Sequence, residues 1–477
     1  MKLTLGEIAT VLETASSSPE RAALGYSIDS RTLAAGQLFF ALRGPRFDGH
    51  SFVEEVVARG AAGAVVEQPF WGVASERLRA SLLPVPDTTA ALQRLAHWIR
   101  RRWARDVVAI TGSTGKSTTK EMIASILGQR FKVLKSQGNL NNHYGLPLTL
   151  LGIEPTHEVV VAELAMSAAG EIALLARLAE PQVGVVTNVA PVHLQFFDSV
   201  DAIARAKKEL IDQLPAGATA VLNQDDPRVR NFGQGFAGRV RTFGFEPGAD
   251  FRAVDCRPDG AQGFIFRVEG PALAGEYRLP LAGRHNVANA LAALAAAGGF
   301  RVSAAEAQQA LTTFQPLAQR SEILTLSNGA VLIVDCYNSN PLAMEKMLET
   351  LANWPGVRRR VVVAGEMLEL GTTSPELHRA VGRQCQEAGA DWLMAVQGDA
   401  QFVAEGARQA GLPAERARFF ATPEEAAEHC RQLLQPGDVA LVKGSRGVHL
   451  EKVVEFLQAA FPGAAARDAA RANHRAE

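Results

Sequence analysis

A short segment in the first half of the chain has the residue types that bind phosphate groups. Thr111-Gly112-Ser113-Thr114-Gly115-Lys116-Ser117-Thr118 follows an apolar run at residues 107–110 and leads into a helical pattern. Glycines allow a tight turn that presents backbone N–H groups to phosphate oxygens, a lysine supplies positive charge, and a serine hydroxyl can bind Mg²⁺. We therefore predict a phosphate-binding loop between a strand and a helix. An ordinary Gly/Ser/Thr-rich turn is the alternative, and it leaves the Gly-Lys-Ser sequence unexplained.

The spacing of this loop is unusual. The common phosphate loop is G-x-x-x-x-G-K-[ST], but the residue five positions before Gly115 is Ile110, so the loop is the shorter G-x-x-G-K-S. The short form is typical of ATP-dependent peptide-type ligases rather than of GTPases or motor ATPases. The spacing therefore favours ligase chemistry.

Polar residues that follow other apolar runs are the candidates for metal ligands, because the site of a parallel α/β sheet lies at the carboxyl ends of its strands. Glu163 ends one run, where its carboxylate could reach a Mg²⁺ ion bound to Ser117. A buried structural glutamate is the alternative. His193 follows another run, although a loop histidine more often faces solvent or caps a helix. Lys207 and Lys208 lie in a helical pattern, where a solvated pair of charges is the simpler interpretation.

Length and composition limit the class of protein. A chain of 477 residues predicts about three domains. The chain has 47% hydrophobic and 21% charged residues, a composition that fits a soluble globular enzyme. Because its net charge is only −1, neither nucleic acid nor an anionic membrane is expected as its main partner. The four cysteines show no C-x-x-C spacing, which predicts reduced, mostly buried thiols and favours the cytoplasm. We expect no signal peptide and no stable membrane insertion.

The apolar runs predict an α/β fold in three domains: a small α/β domain at 1–87, a central P-loop ATPase-type domain with a parallel sheet at 88–313, and a C-terminal Rossmann-like domain at 314–477. A break between the first two is expected at Pro84-Val85-Pro86-Asp87. The strand candidates are residues 38–42, 64–66, 107–110, 159–162, 183–186, 218–222, 331–334, 361–364, 392–396 and 439–442.

Helical patterns fill the spaces between these strands. One covers residues 51–59. A second begins at a cap formed by Asp87 or Thr88 and ends at Arg100-Arg101-Arg102, and a third covers the Ala/Leu-rich residues 288–297. The three arginines are interpreted as a solvated helix end that the helix dipole favours. The alanine-rich, charged tail at 464–477 is expected to be frayed or loosely attached.

The residues also resemble a known family, the Mur ligases, which build the peptide of bacterial cell-wall precursors. The resemblance extends in order from about residue 24 to residue 460, although Thr114 replaces a frequent asparagine and Ala165 a common glycine. It is carried by these segments: Ser27-Ile28-Asp29-Ser30-Arg31, residues 36–42, Phe47-Asp48-Gly49-His50, the loop at 111–118 with Lys120-Glu121, Gly138-Asn139-Leu140-Asn141-Asn142, residues 145–151, residues 188–193, residues 283–290 and Lys443-Gly444-Ser445-Arg446-Gly447.

The resemblance implies a reaction in which ATP phosphorylates a carboxylate and an amine then attacks the acyl phosphate. It implies catalytic roles for Lys116, His193, Lys207 and Arg320. It implies two Mg²⁺ ions held by Ser117, Glu163, His193 and a carbamylated Lys207. Nucleotide contacts would come from residues 111–118, Asn286, Asn289, Arg320 and Asp335. Substrate contacts would come from Ser30, Arg31, Phe47, Gly49, His50, Asn141, Asn142, Asn338 and Asn340, the first five in a uridine-nucleotide-binding N-terminal domain.

Within the family, the segments at 335–341 and 365–371 are similar to the branch that adds D-alanyl-D-alanine to UDP-N-acetylmuramoyl-tripeptide. The branch that adds the third residue would be expected to carry D-N-P-R in its C-terminal domain, but the nearest match, Asp226-Pro227-Arg228, lies in the central region without the asparagine. The alternatives are that third-residue ligase, a folylpolyglutamate-type ligase and a non-catalytic ATP-binding partner protein. We expect a cytoplasmic monomer whose domains close before chemistry.

Overall fold

A computed structural model describes residues 1–44, 47–191 and 197–462 of the chain. The predicted α/β class is confirmed: three larger, mainly parallel sheets follow one another along the sequence, and a two-stranded ribbon precedes them. Each of the three predicted domain ranges contains one of these sheets. The boundaries at 87/88 and 313/314 stay predictions.

The N-terminal sheet has four parallel strands. The strands of this region are β1 (Leu3–Thr4), β2 (Ala22–Ala23), β3 (Gly25–Ser27), β4 (Gln37–Phe40), β5 (Gly63–Glu67) and β6 (Leu82–Val85). The helices are α1 (Leu5–Leu12), α2 (Val53–Ala58), α3 (Gln68–Val73), α4 (Glu76–Arg79) and α5 (Thr88–Trp103). β1 and β2 form the antiparallel ribbon, and the sheet order is β3-β4-β5-β6. Pro84, expected in a break, lies within β6, where an edge strand tolerates a proline.

Helix α5 begins as predicted, but its end differs from the prediction. Asp87 Oδ1 accepts hydrogen bonds from the N–H groups of Thr89 and Ala90 at 2.7 and 2.9 Å. Arg100, expected to be solvated, is buried and donates to the carbonyls of Ala179 and Glu180 at 2.6 and 2.9 Å. The interpretation of a solvated triplet was wrong for this residue, because the end of a neighbouring helix supplies acceptors that the local sequence does not reveal.

The central sheet has nine strands. They are β7 (Asp106–Thr111), β8 (Val133–Lys135), β9 (Val159–Glu163), β10 (Val183–Val186), β11 (Thr219–Asn223), β12 (Arg239–Gly244), β13 (Phe251–Pro258), β14 (Phe264–Glu269) and β15 (Gly275–Leu279). The helices are α6 (Lys116–Leu127), α7 (Gly145–Leu151), α8 (Glu171–Ala179), α9 (Val200–Asp212), α10 (Arg284–Ala297) and α11 (Ala304–Thr312). The order is β15-β14-β13-β12-β11-β10-β7-β9-β8, parallel from β8 to β13 and antiparallel beyond. The sequence analysis did not identify β8 or β12 to β15.

The C-terminal sheet has six strands. They are β16 (Glu322–Thr325), β17 (Val331–Val334), β18 (Arg359–Gly365), β19 (Trp392–Val396), β20 (Ala417–Phe420) and β21 (Asp438–Lys443). The helices are α12 (Pro341–Ala352), α13 (Ser374–Glu387), α14 (Gln401–Gln409), α15 (Pro423–Leu433) and α16 (Glu451–Ala460). The order is β16-β17-β21-β18-β19-β20, and β16 alone is antiparallel to its neighbour.

Strand β7 shows how the central sheet positions the loop that follows it. Val107 and Ala109 face one hydrophobic core and Val108 and Ile110 face another, as a strand that is buried on both sides requires. Helices α5, α7 and α8 cover the first face, and α6 and α10 cover the second. Among the described residues, no helix has both the length and the apolar character that crossing a membrane requires.

Candidate functional site

A cavity of about 790 Å³ opens at the carboxyl ends of β7, β9 and β10. Residues of the C-terminal sheet region close its other side, so two of the three larger sheets contribute to it. The lining includes Ser113 to Thr118, Asn141, Glu163, Asn188, His285, Asn286, Asn289, Arg320, Asp335, Tyr337, Asn338, Asn340 and Lys443. Most of the predicted nucleotide-binding residues are therefore brought together.

The two glycines of the loop at 111–118 are required by close packing. Gly112 and Gly115 have φ values of 149° and 79°. A Cβ atom on Gly112 would lie 1.9 Å from Thr187 Oγ1, and one on Gly115 would lie 2.3 Å from Asn289 Oδ1. Any side chain at either position would displace a residue that borders the site, so the loop keeps its shape only with glycine.

Asn188 fixes the tip of the loop. Its carbonyl accepts from Ser113 N at 2.9 Å, its Oδ1 accepts from Thr114 N at 3.0 Å, and its Nδ2 donates to Thr114 Oγ1 at 2.9 Å. The departure at Thr114 is thereby accommodated, because the threonine hydroxyl is an additional partner for Asn188. The loop is held by the segment that follows β10.

Lys116 lies at the start of α6 with its ammonium directed back over the loop. Nζ donates to the carbonyls of Gly112 and Ser113 at 2.9 and 3.4 Å. Burial lowers the pKa of Lys116, the charge of Glu163 acts to raise it, and the charge of Arg320 acts to lower it. Lys116 thus lies within the electrostatic reach of a carboxylate on β9 and a guanidinium from the C-terminal region.

The carboxylate of Glu163 is buried at the end of β9. Asn141 Nδ2 donates to its Oε1 at 2.9 Å, whereas Oε2 is buried without a hydrogen-bond partner among the described residues. A buried anionic oxygen in this condition is costly unless a cation meets it. Together with the Ser117 hydroxyl in the first turn of α6, this oxygen fits a Mg²⁺ ion that keeps several water and phosphate ligands.

A larger metal cluster is not found in the ranges that the structure describes, where no group of three or more His, Cys, Asp or Glu residues could hold an ion. The predicted ligand His193 lies outside the described residues. A second ion at that place therefore stays a prediction.

Lys207 and Lys208 are adjacent on α9 but have opposite environments. Lys207 is 2% exposed, while the Lys208 side chain is 35% exposed and pairs with Asp212 one turn along the helix. Burial lowers the pKa of Lys207 well below the usual lysine value, and the charge of Lys116 lowers it further. The interpretation of a solvated charge pair was therefore wrong for Lys207.

Asn286 and Asn289 lie on one face of α10 behind the phosphate loop. Asn286 Nδ2 donates to the Ala282 carbonyl at 2.7 Å, and Asn289 Nδ2 donates to Asn286 Oδ1 at 3.0 Å. Both side chains are buried and line the cavity. Their amides are oriented before any ligand arrives.

The C-terminal side of the cavity contributes cationic side chains. Arg320 stacks on the Tyr337 ring, with its guanidinium carbon 4.1 Å from the ring centre. Lys443, which is buried at the end of β21, pairs with Asp335 Oδ2 at 2.5 Å and donates to the Asn338 carbonyl at 3.0 Å. Asp335 thus lines the cavity and also pairs with a buried lysine.

The sequence analysis missed Lys443 and Tyr337 as site residues. Lys443 was quoted only as part of the Lys443-Gly444-Ser445-Arg446-Gly447 segment, and that segment was the signal that could have identified it. Tyr337 lies within the 335–341 segment that carries the similarity to one branch of the family, and that segment was the signal that could have identified it.

The predicted asparagines have different positions. Asn338 and Asn340 line the cavity, and Asn340 Oδ1 also caps α12 by accepting from Ala343 N at 2.9 Å. Asn142 Oδ1 instead accepts from the backbone N–H groups of Tyr144 and Gly145 at 3.1 and 2.9 Å, next to the start of α7. Asn142 supports a helix end rather than lining the cavity.

The predicted uridine-nucleotide residues lie on the N-terminal domain, away from the lining of this cavity. Ser30 and Arg31 lie in a surface turn, where Arg31 is exposed and pairs with Asp29 at 2.8 Å, and Gly49 begins a short 3₁₀ helix (Gly49–Phe52). Phe47 is 74% exposed. A second binding surface formed by these residues stays a prediction.

His50 differs from the other residues of that group, because its ring is buried and both nitrogens are engaged within the protein. Nε2 accepts from Glu67 N at 2.9 Å and Nδ1 lies 2.6 Å from Asp48 Oδ1. The structure gives this ring a role in holding Asp48 and the short helical turn that begins at Gly49 to β5. Its predicted contact with substrate stays untested.

Three features together define an ATP-dependent ligase of the three-domain kind. They are a phosphate loop at the end of a parallel strand, a buried carboxylate on the neighbouring strand, and cations from a following Rossmann-like region. Family comparison agrees along the chain: residues 24–99 match the Mur ligase family catalytic domain, residues 110–297 the Mur ligase middle domain, and residues 319–446 the Mur ligase glutamate ligase domain. The chain belongs to the Mur ligase family.

Individual relatives point to one branch of that family. The UDP-N-acetylmuramoyl-tripeptide–D-alanyl-D-alanine ligase of Synechocystis sp. is 37% identical over 97% of this chain and 99% of its own length. MurF from Acinetobacter baumannii has a similar structure, with a TM-score of 0.86 and 31% identity over 96% of this chain and 99% of its own. MurF from Thermotoga maritima in complex with ADP has a TM-score of 0.81 and 28% identity over 92% and 98%.

Proposed function

We propose that this protein uses ATP to join D-alanyl-D-alanine to UDP-N-acetylmuramoyl-tripeptide, a step of peptidoglycan synthesis. The observation that carries the proposal is the convergence of the phosphate loop, the Glu163 carboxylate and Arg320 on one cavity. The names of the similar ligases support this choice of substrates. The ADP complex of a similar structure supports ATP as the phosphoryl donor.

The reaction moves the γ-phosphoryl group of ATP to the terminal carboxylate of the tripeptide, giving ADP and an acyl phosphate. The amine of the dipeptide attacks the acyl carbon, loses a proton, and phosphate leaves as the amide forms. Catalysis of this kind depends on neutralising charge. Lys116 and Arg320 both line the cavity and would stabilise the negative charge of the transferring group.

Mg²⁺ is the cation that the site fits. Ser117 and the unpartnered Oε2 of Glu163 would hold one ion, which would supply further charge neutralisation at the phosphates. His193 and Lys207 are the proposed ligands of a second ion. A protonated Lys207 would repel it, whereas a neutral amine that adds CO₂ becomes a carbamate, and the lowered pKa of Lys207 favours the neutral amine.

The uridine diphosphate group would lie on the N-terminal domain, against Ser30, Arg31, Phe47 and the turn containing Gly49 and His50. None of these residues lines the cavity, so the substrate would have to extend from this surface to bring its peptide end to the ATP site. We further propose a cytoplasmic monomer that closes its domains around both substrates.

Phosphate release tests the proposal directly. Purified protein with ATP, Mg²⁺ and UDP-N-acetylmuramoyl-tripeptide should release phosphate when D-alanyl-D-alanine is added, and L-alanyl-L-alanine serves as the matched control. Release with the UDP-dipeptide and free diaminopimelate or lysine instead would move the chain to the third-residue ligases. Nucleotide binding without release under either condition would favour a non-catalytic ATP-binding protein.

A further inference from the structure

One buried cation near the site takes no part in the mechanism described above. Lys120 is 1% exposed, although lysine is among the residues least often buried. It lies on α6 one turn after Lys116 and three residues after Ser117, and therefore on the same side of that helix. Its Nζ donates to the Ser136 carbonyl at 2.7 Å and lies 3.1 Å from Glu121 Oε1.

Ser136 connects Lys120 to β9, the strand that ends with Glu163. Ser136 is fully buried where the chain leaves β8, and its N–H donates to the Val161 carbonyl of β9 at 3.1 Å. Its hydroxyl oxygen accepts from Glu163 N at 3.2 Å. Five residues further on, Asn141 donates to the Glu163 carboxylate at 2.9 Å. The segment from 136 to 141 thus holds Glu163 at two points.

We propose that Lys120 is a positioning residue that sets the separation between Ser117 and Glu163, the two proposed ligands of one Mg²⁺ ion. Through Ser136, it ties the helix that carries Ser117 to the strand that carries Glu163. Mg²⁺ demands near-ideal octahedral geometry, so a small displacement of either ligand weakens binding. The proposal rests on the nucleotide and Mg²⁺ part of the proposed function and is independent of which peptide is joined.

A purely structural ion pair with Glu121 is the competing explanation, and the chain offers a matched control for it. Lys135 precedes Ser136 in the chain and pairs with the same Glu121 carboxylate, but its side chain is 40% exposed and its ammonium makes no hydrogen bond to Ser136 among the described residues. Lys135→Met removes a lysine from the same carboxylate and leaves the connection to Glu163 intact. Lys120→Met breaks the connection from the helix side, and Ser136→Ala removes only the hydroxyl that receives Glu163 N–H.

The experiment measures binding of a fluorescent ADP analogue to the full chain over a range of Mg²⁺ concentrations and again in EDTA. In Lys120→Met and Ser136→Ala, the Mg²⁺ concentration for half-maximal binding should rise by roughly 10-fold or more, as for other residues that orient metal ligands. Binding in EDTA should not change, and Lys135→Met should behave as wild type. If Lys120→Met does not fold, Lys120→Gln, which keeps a shorter polar donor on the same helix, takes its place. Ser136→Ala keeps the Ser136 carbonyl that accepts from Lys120, so it tests only the bond between Ser136 and Glu163.

Two results would overturn the proposal. Folded variants with an unchanged Mg²⁺ dependence would show that Lys120 does not position Glu163. Equal weakening of binding with Mg²⁺ and in EDTA, or the same effect in Lys135→Met, would show a general packing role. If the wild-type protein shows no Mg²⁺-dependent binding of the ADP analogue, the proposed function fails along with this inference.

Discussion

Lys207 and Lys208 allow a sharp test of the second metal site, because one helix presents the two lysines in opposite environments. Lys208→Ala removes an exposed pair with Asp212, which is worth about 0.3–0.5 kcal/mol, so stability should change little and activity should be kept. Lys207→Ala removes a buried group that the charge of Lys116 reaches. If it acts as a carbamate ligand, its loss should lower kcat on the order of 10²- to 10³-fold, or about 2.7–4 kcal/mol.

The assay is phosphate release with both peptide substrates, repeated with added formate or acetate. A short carboxylate can occupy the place of the missing carbamate, so Lys207→Ala should recover part of its activity while Lys208→Ala does not respond. Spectra of the wild-type protein in isotope-labelled bicarbonate should show a carbamate signal that Lys207→Ala lacks. An inactive Lys208→Ala, or an unmodified Lys207 in saturating bicarbonate, would refute the carbamate assignment.

Three further predictions follow from the described contacts. Lys116→Ala should lower kcat on the order of 10²- to 10³-fold with an unchanged circular dichroism spectrum, and near-normal turnover would remove the phosphate-loop assignment. Burial lowers the pKa of His285 from 6.5 to about 4, so the folded protein keeps this ring neutral while the unfolded chain protonates it. This difference contributes up to about 3 kcal/mol to the free energy of unfolding above pH 6.5, and the contribution is lost as the pH falls to 4. His285→Gln should therefore flatten the dependence of stability on pH between 6.5 and 4, and identical pH dependences of variant and wild type would contradict this prediction. Cys256 should be the thiol that reacts in the native protein, since Cys336, Cys385 and Cys430 are buried with pKa values raised to about 12, and all four should react in denaturant.

The parts of the fold that the sequence predicted are those whose signal is local. Runs such as residues 183–186, 331–334 and 392–396 coincide with β10, β17 and β19, because a strand buried on both faces is apolar along its whole length. The loop at 111–118 was recognisable because its glycines, lysine and hydroxyl groups act at fixed spacing along the chain. Strands β12 to β15 were missed, because they lie toward an edge of the sheet and mix exposed with buried residues.

Tertiary structure decided the contacts between distant segments. Residue type alone could not show that Arg100 would meet the end of α8, that His50 would be used to hold a turn, or that Lys443 would be buried against Asp335 more than a hundred positions away. In each case the partner is supplied by the order in which strands and helices pack, and the cost of burying a charge or a polar group is offset only after that packing has formed. The sequence by itself determined the chemistry of the phosphate loop, and the packed sheets determined which other side chains share its cavity.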